Sequence, residues 1–253
     1  MFVTLLGTGT SHGVPVLGCH CGTCQSRDPR DVRSRTSAYL KVDGSYILID
    51  TAPELRLQAL SNNITRVDSV LLTHHHSDHI CGFDDLRRFN ELQGEIIPVY
   101  GNIDTIDQLK KMFSYIFNGL NEPGGGKPHI KPIPVDSAFN ASGVSVTPIP
   151  VIHGNLDVLG YRIGNLAYIT DCNEIPESSW KMLKGLEVLV LGVLRYRPHP
   201  THFNLEQGLA MIEKIKPKRS ILTHICHDLK YSEVQLPQDV ELGYDGIQFE
   251  VRE

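Results

Sequence analysis

The chain has 253 residues, 41% of them hydrophobic and 21% charged, with a formal net charge of -5. That length is enough to bury a proper core, and the acidic balance argues against a general binder of nucleic acid or of anionic membranes. No apolar run approaches the ~20 residues of a membrane span, and the opening MFVTLLGTGTSHG lacks the basic and apolar regions of a signal peptide, so the expected location is the cytoplasm.

In chain order, the first strand-like run is 2–6, followed by GTGTSHG at 7–13. The spacing of that loop, G-x-G-x-x-x-G, is out of register for a dinucleotide fingerprint. GCHCGTC then places Cys19, Cys21 and Cys24 within six residues. In a reducing compartment such a cluster reads as metal ligands before disulfides, and a closed tetrahedral zinc site needs a fourth donor. Strands are predicted at 36–42 and 46–50, the second ending on Asp50, and a helix over 52–62. The run 69–73 should be a buried strand, and after it come His74, His75, His76, Asp78 and His79, four histidines and an aspartate in six positions. Alternation lets His74 and His76 share one metal, with His75 facing away, while Asp78 and His79 turn the corner and can reach a second. Neutral imidazole and carboxylate suit zinc, manganese or iron.

Further helices are predicted over 82–93 and 103–117, with a strand at 96–100 between them. The breaker-rich stretch 119–132 reads as a mobile surface loop, one that can cover a binding pocket. Strands at 144–151, 158–163, 166–170, 187–192, 219–223 and 247–251 complete the β content, with helices at 176–185 and 204–216. Three of these strands run into polar residues, His153, Asp171 and His224. RYRPHPTHF carries Arg195, Arg197, His199 and His202 just ahead of a helix, and THICHD offers Cys226 and His227. Cys81 and Cys172 are expected to be buried thiols. With no repeat and no linker, residues 1–253 read as a single α/β domain with two sheets and outer helices.

The H-x-H-x-D-H motif, followed in order by His153, Asp171 and His224, resembles the signature of the metallo-β-lactamase superfamily, and the likeness runs over almost the whole chain. It implies an αββα four-layer sandwich with two central mixed sheets. It also implies two divalent metal ions, His74, His76 and His153 holding one, Asp78, His79 and His224 the other, and Asp171 bridging. Asp50 resembles the aspartate that orients a ligand histidine from behind. C-x-C-x-x-C near the start with H-x-x-H near the end narrows the likeness to the PhnP-type phosphodiesterase branch. There the resemblance assigns Cys19, Cys21, Cys24 and His227 to one structural zinc, with Cys226 a less well spaced alternative to His227. It also makes His202 the general acid, and counts Asp78 as catalytic as well as a ligand. His199 is the weaker candidate for the acid. Arg195 and Arg197 can hold a phosphate or be solvated surface residues.

Two divalent ions against two carboxylates leave net positive charge, which favours an anionic substrate, and coordinated water with a pKa lowered toward ~7 supplies the nucleophile. The expected activity is hydrolysis of a small cyclic phosphate or nucleotide. The alternatives are a tRNA 3′-processing nuclease, a lactone or thioester hydrolase of the same superfamily, and a non-catalytic metal-binding module. A tRNA nuclease would want a long basic arm, and only EKIKPKRS is basic here, so no nucleic-acid polymer is expected as a partner. No membrane is expected either, and the branch allows a homodimer.

Overall fold

The computed structural model describes residues 1–119 and 126–252. The first half of the chain supplies β1 (Phe2–Gly7), β2 (Ser37–Val42), β3 (Ser45–Ile49), β4 (Ser69–Leu71), β5 (Ile97–Gly101) and β6 (Ile130–Pro134). The second half supplies β7 (Phe139–Ala141), β8 (Val144–His153), β9 (Leu156–Ile163), β10 (Leu166–Ile169), β11 (Val188–Gly192), β12 (Arg219–Thr223) and β13 (Val240–Leu242). A last strand, β14 (Gln248–Glu250), returns to the first sheet. The two seven-stranded sheets run β14-β1-β2-β3-β4-β5-β6 and β13-β12-β11-β10-β9-β8-β7.

Each sheet is mixed. β14, β1, β2 and β3 pair antiparallel, then β3 to β6 parallel. In the second sheet β7 to β10 pair antiparallel and β10 to β13 parallel. Alternation along the strands sends Val3, Leu5, Leu40, Ile47 and Ile49 of one sheet against Tyr161, Tyr168, Val190 and Ile221 of the other. The outer face of the first sheet packs Leu48, Val70 and Val99 on Leu55, Phe89 and Leu109. These last come from α1 (Leu55–Ser61), α3 (Leu86–Gln93) and α4 (Ile103–Met112); the short α2 (Ser77–Ile80) lies between the first two. Beyond the second sheet, Leu189, Leu191 and Leu222 meet Leu183 of a 3₁₀ segment, Glu177–Leu183, and Leu205 and Ile215 of α6 (Leu205–Ile215). That is the expected four-layer αββα sandwich.

Several local expectations need correction. The 103–117 helix breaks at Phe113 (φ -108°, ψ 42°) into α4 and α5 (Ser114–Phe117). The segment expected as a helix at 176–185 is the 3₁₀ turn that follows Pro176. Of the stretch read as a loop at 119–132, residues 120–125 lie outside the described residues, and its end is strand β6, parallel to β5. Pro132 and Pro134 are tolerated there because β6 is an edge strand, where a missing N–H breaks no ladder.

The glycines of GTGTSHG serve close packing. A Cβ on Gly7 would lie 2.0 Å from the Arg35 carbonyl oxygen, and one on Gly9 would lie 2.6 Å from that of Arg33. Glycine lets this loop lie against 33–35 and bridge on to Ile225. Arg33 is the bolt of this junction. Its side chain is fully buried, pairs with Asp31 at 3.0 Å, and donates to the carbonyls of Cys226 (3.2 Å) and Leu229 (2.9 Å). Asp31 in turn accepts from the Tyr231 N–H at 2.8 Å. Truncating one partner of a buried ion pair strands the other, at a cost of about 3–5 kcal/mol. Arg33→Met should therefore lower the unfolding free energy from urea titration by that much, and a change under about 1 kcal/mol would mean that Asp31 finds water instead.

Candidate active site

The site lies where strands of both sheets end. β4 runs into Thr73, His74 is buried just beyond it, and His76 precedes α2, which carries Asp78 and His79. β8 ends on His153, β10 leads into Asp171, and β12 leads into His224. Three residues here are held at positive φ: Asp50 (59°), Asp171 (34°) and His224 (56°). Non-glycine residues rarely adopt that conformation, and its strain collects at functional sites.

The donor atoms converge in two groups. His74 Nε2 lies 2.9 Å from His76 Nδ1, and His74 Nε2 and His153 Nε2 each lie 3.9 Å from Asp171 Oδ2. On the other side His79 Nε2 and His224 Nε2 lie 3.4 and 3.2 Å from Asp171 Oδ1, and 3.3 and 3.5 Å from Asp78 Oδ2. Ligands of a tetrahedral ion with bonds of 2.0–2.2 Å stand about 3.3–3.6 Å apart. The second group matches that spacing closely, and Asp171 turns one oxygen to each group. His79 Nε2 and His224 Nε2 are buried without a hydrogen-bond partner, as lone pairs reserved for a cation would be. The set fits divalent metals.

A separate cluster joins the two ends of the chain. His227 Nδ1 lies 3.2, 3.5 and 3.3 Å from the sulfurs of Cys19, Cys21 and Cys24. A tetrahedral zinc with Zn–S of 2.3 Å and Zn–N of 2.0–2.1 Å places sulfur and nitrogen about 3.5–3.6 Å apart. Cys226 is not in this cluster; its sulfur accepts from the Asp228 N–H. Cys172 is buried as expected, whereas Cys81 is exposed, because α2 turns the residue after Ile80 outward.

A beta-lactamase superfamily domain model matches residues 45–225. A solved diphosphatase of the PhnP family superposes with a TM-score of 0.92 at 41% identity, over 99% of this chain and 98% of that one. The chain belongs to the metallo-β-lactamase superfamily. Within it, the chain is a PhnP-like, metal-dependent hydrolase. An octanoyltransferase of Porphyromonas gingivalis is 38% identical over 249 residues, 96% of this chain and 50% of that protein. A ribonuclease Z of Bradyrhizobium diazoefficiens is 27% identical over 53% of this chain and 45% of its own length. The chain thus spans about half the length of these curated relatives. Zinc-bound PqqB of Methylobacterium extorquens, at 19% identity and a TM-score of 0.78, shares the fold.

The superfamily's ligand histidines are oriented from behind, and here the second layer includes a residue that sequence reasoning missed. Asp50 Oδ2 accepts from His79 Nδ1 at 2.7 Å and from the Thr73 hydroxyl at 2.8 Å. Having given its proton to Asp50, the Thr73 oxygen accepts from His74 Nδ1 at 3.0 Å. Asp50 therefore fixes the tautomers of two ligands, one directly and one through Thr73, leaving both Nε2 atoms free to coordinate. His153 Nδ1 is fixed likewise by the Thr201 carbonyl at 2.7 Å. His75 faces away and meets Asp104 at 3.4 Å. Second-layer partners are worth about 10–100-fold in metal affinity. Asp50→Ala should weaken binding at the His79 side by about that factor in a chelator competition, and an unchanged affinity would mean that Thr73 alone suffices.

Burial lowers His79, but the carboxylates of Asp171, Asp78 and Asp50 override it and hold it well above the usual imidazole range, so an ion binding there displaces its proton. Burial raises the Asp171 carboxyl, but the imidazoles of His224 and His79 override it and hold it well below the usual range. Burial, then the charge of His79, push His74 down, so it is neutral. His202 stacks on His224 with ring centroids 4.9 Å apart, and its Nδ1 lies 3.9 Å from Asp171 Oδ2. Burial and then the His224 charge push its pKa down to about 3, leaving a neutral ring at pH 7. His199 sits behind it at 5.0 Å, centroid to centroid. A cleft of about 320 Å³ leads away from His202 past His199, Arg195 and His12 to His227.

Proposed function

We propose that this chain hydrolyses a small phosphodiester, such as a ribose cyclic phosphate or a 2′,3′-cyclic nucleotide, at a pair of divalent ions, with one structural zinc on Cys19, Cys21, Cys24 and His227. The observation that carries the reading is Asp171, which turns one carboxylate oxygen to each histidine group. When bound, the ions supply an activated water and absorb charge on the phosphoryl oxygens. The chain does the rest. Asp78 and Asp171 keep the ion positions about 2 charges less positive than bare ions, which sets how tightly an anion is held. His202 stands at the mouth beside Asp171, where an anionic ester would raise its pKa and let it protonate the leaving oxygen.

A phosphoanhydride is the second reading, favoured by the 41% identical diphosphatase. Both need the same centre and differ in what leaves. The octanoyltransferase name belongs to a protein of which half lies beyond the match, so acyl transfer is not carried over. A cytoplasmic location and a homodimer remain part of the proposal. Among the described residues, no helix is long and apolar enough to cross a membrane.

The deciding assay is manganese- or zinc-loaded protein against a ribose cyclic phosphate and a nucleoside diphosphate derivative in parallel. Preferential turnover of the cyclic ester supports the first reading, and preferential cleavage of the anhydride the second. Inertness toward both, with metal content verified, would overturn the phosphoryl reading.

A further inference from the structure

Hydrogen bonds tie the loop of residues 15–28 to the rest of the molecule at two places. Its root is the pairing of Val14 with Arg33, which exchange N–H to carbonyl bonds at 2.8 and 2.7 Å. Past that root the bonds stay inside the loop. Cys19 N–H donates to the Val16 carbonyl, Gln25 N–H to that of Cys21 and Ser26 N–H to that of Thr23, each at 3.0 Å. Two more end on its own sulfurs, Val16 N–H on Cys24 and Cys24 N–H on Cys21, both at 3.4 Å. Leu17 is 99% exposed, so it adds no packing. The second tie is His227, whose Nδ1 faces the sulfurs of Cys19, Cys21 and Cys24 at 3.2–3.5 Å. Among the described residues, no other hydrogen bond or ion pair runs from the loop to a residue beyond Asp31.

This second tie is open to solvent chemistry. All three cysteines are partly exposed, and the donor atoms of the four residues lie within 4.8 Å of one another. Cys21 and Cys24 have the C-x-x-C spacing at which two thiols close one short ring. We infer that the cluster of Cys19, Cys21, Cys24 and His227 is an oxidation site, at which a peroxide joins Cys21 to Cys24 and releases the 15–28 loop. The inference rests on the structural-zinc reading above and gives that ion a regulated role. One of the two thiolates attacks a peroxide oxygen; the O–O bond breaks, leaving a sulfenic acid and a hydroxide. The other thiolate attacks that sulfur, the S–S bond forms and a second hydroxide leaves. The two sulfurs have then given two electrons to the peroxide, and the hydroxides take two protons from solvent to become water. Exchange with a small thiol reverses the change. Cys19 and His227 are two donors where a closed zinc site needs four, so the ion is lost and the loop keeps only its root. Val16 brings the loop into the lining of the cleft that leads from His202, so release reaches substrate binding.

The test starts from zinc-loaded Cys81→Ser protein, since Cys81 is exposed and its own oxidation would blur the result. Hydrogen peroxide is added, and three measurements are made on the same sample: metal content after desalting, peptide mass mapping after differential alkylation, and amide hydrogen exchange. Expected are the loss of one zinc per chain, a Cys21–Cys24 bond, and loss of protection at the Val16, Cys19, Cys24, Gln25 and Ser26 amides while the two sheets keep theirs. A thiol reductant with added zinc should restore all three. KM for the ester turned over should rise on oxidation and return on reduction, with kcat less changed. Zinc held under peroxide, a bond between other cysteines, or loop protection that outlasts the Cys21–Cys24 bond overturns the inference. A KM unmoved once the loop is released overturns its reach to the active site. Protein that holds no zinc at the cluster before peroxide is added, with the three cysteines free to alkylate, removes the structural-zinc reading and the inference with it. The full set of changes in a protein that cleaves no phosphoryl bond would leave the oxidation site standing and remove the proposed reaction alone.

Discussion

Asp171→Asn is expected to lower kcat/KM by at least about 10³-fold, beyond the 10²–10³ that loss of a single oxyanion donor costs. The reason is geometric. One Asp171 oxygen lies within 3.2–3.4 Å of the His79 and His224 nitrogens, and the other stands 3.9 Å from those of His74 and His153. Asparagine has a single acceptor oxygen, so whichever group it serves, the other meets an NH₂ that cannot coordinate. The substitution also removes a full negative charge from between two cation positions. Metal analysis after dialysis should show loss of one ion per chain while the cysteine cluster keeps its own. The fold should survive, because the inter-sheet core of Leu5, Leu40, Tyr161 and Val190 does not include this side chain. A variant that retained all its metal and more than a tenth of the activity would show that Asp171 does not bridge.

A second test concerns the N-terminal junction rather than catalysis. Asp245 is buried and accepts from the main-chain N–H and hydroxyl of both Thr8 and Ser34, at 2.6–2.9 Å. Burial nevertheless raises its pKa to about 6. A carboxyl raised on folding contributes stability that is present below its unfolded pKa of ~3.9 and is lost as pH rises through the folded value. Between pH 4 and 6 this group should therefore oppose the usual gain in stability with pH. Asp245→Asn should steepen that gain in urea titrations across the window, and an unchanged slope would mean that the four donors hold the carboxylate ionised throughout.

The candidate metal-binding groups were legible because their chemistry is local. His74, His76, Asp78 and His79 sit in one turn, and His153, Asp171 and His224 each follow a strand whose apolar residues announce it. The cysteine cluster was legible by composition, although its closure by His227 needed a fold that joins residues some 200 positions apart. Thr73 was not, because a hydroxyl at a strand end looks the same whether or not it links Asp50 to His74 by hydrogen bonds. Arg33 was missed for the opposite reason: arginine is ordinarily a surface residue, and its partners Cys226 and Leu229 lie 193 and 196 residues away. The strands β7 and β13 escaped notice at three residues each, too short to show an alternation. Positive φ at Asp50, Asp171 and His224 has no sequence signal at all, since neither aspartate nor histidine declares it as glycine would.

His202→Ala is expected to cost about 10²–10⁴ in kcat, the range for loss of a general acid, and the size should depend on what leaves. An alkoxide needs a proton in the transition state; a p-nitrophenolate does not. The loss should therefore be full for a ribose cyclic ester and less than about tenfold for bis(p-nitrophenyl) phosphate. The pH profile carries a second signature. In the substrate-free protein burial and the His224 charge hold His202 near 3, so at neutral pH it gains its proton only beside an anion. A general acid is active below its pKa, so kcat should fall on the alkaline side of the value that His202 takes in the complex. That descending limb should vanish in the variant. A uniform loss on both esters with the limb intact would instead make His202 a wall for His224, on which it stacks at 4.9 Å, and would return the proton to water or to His199.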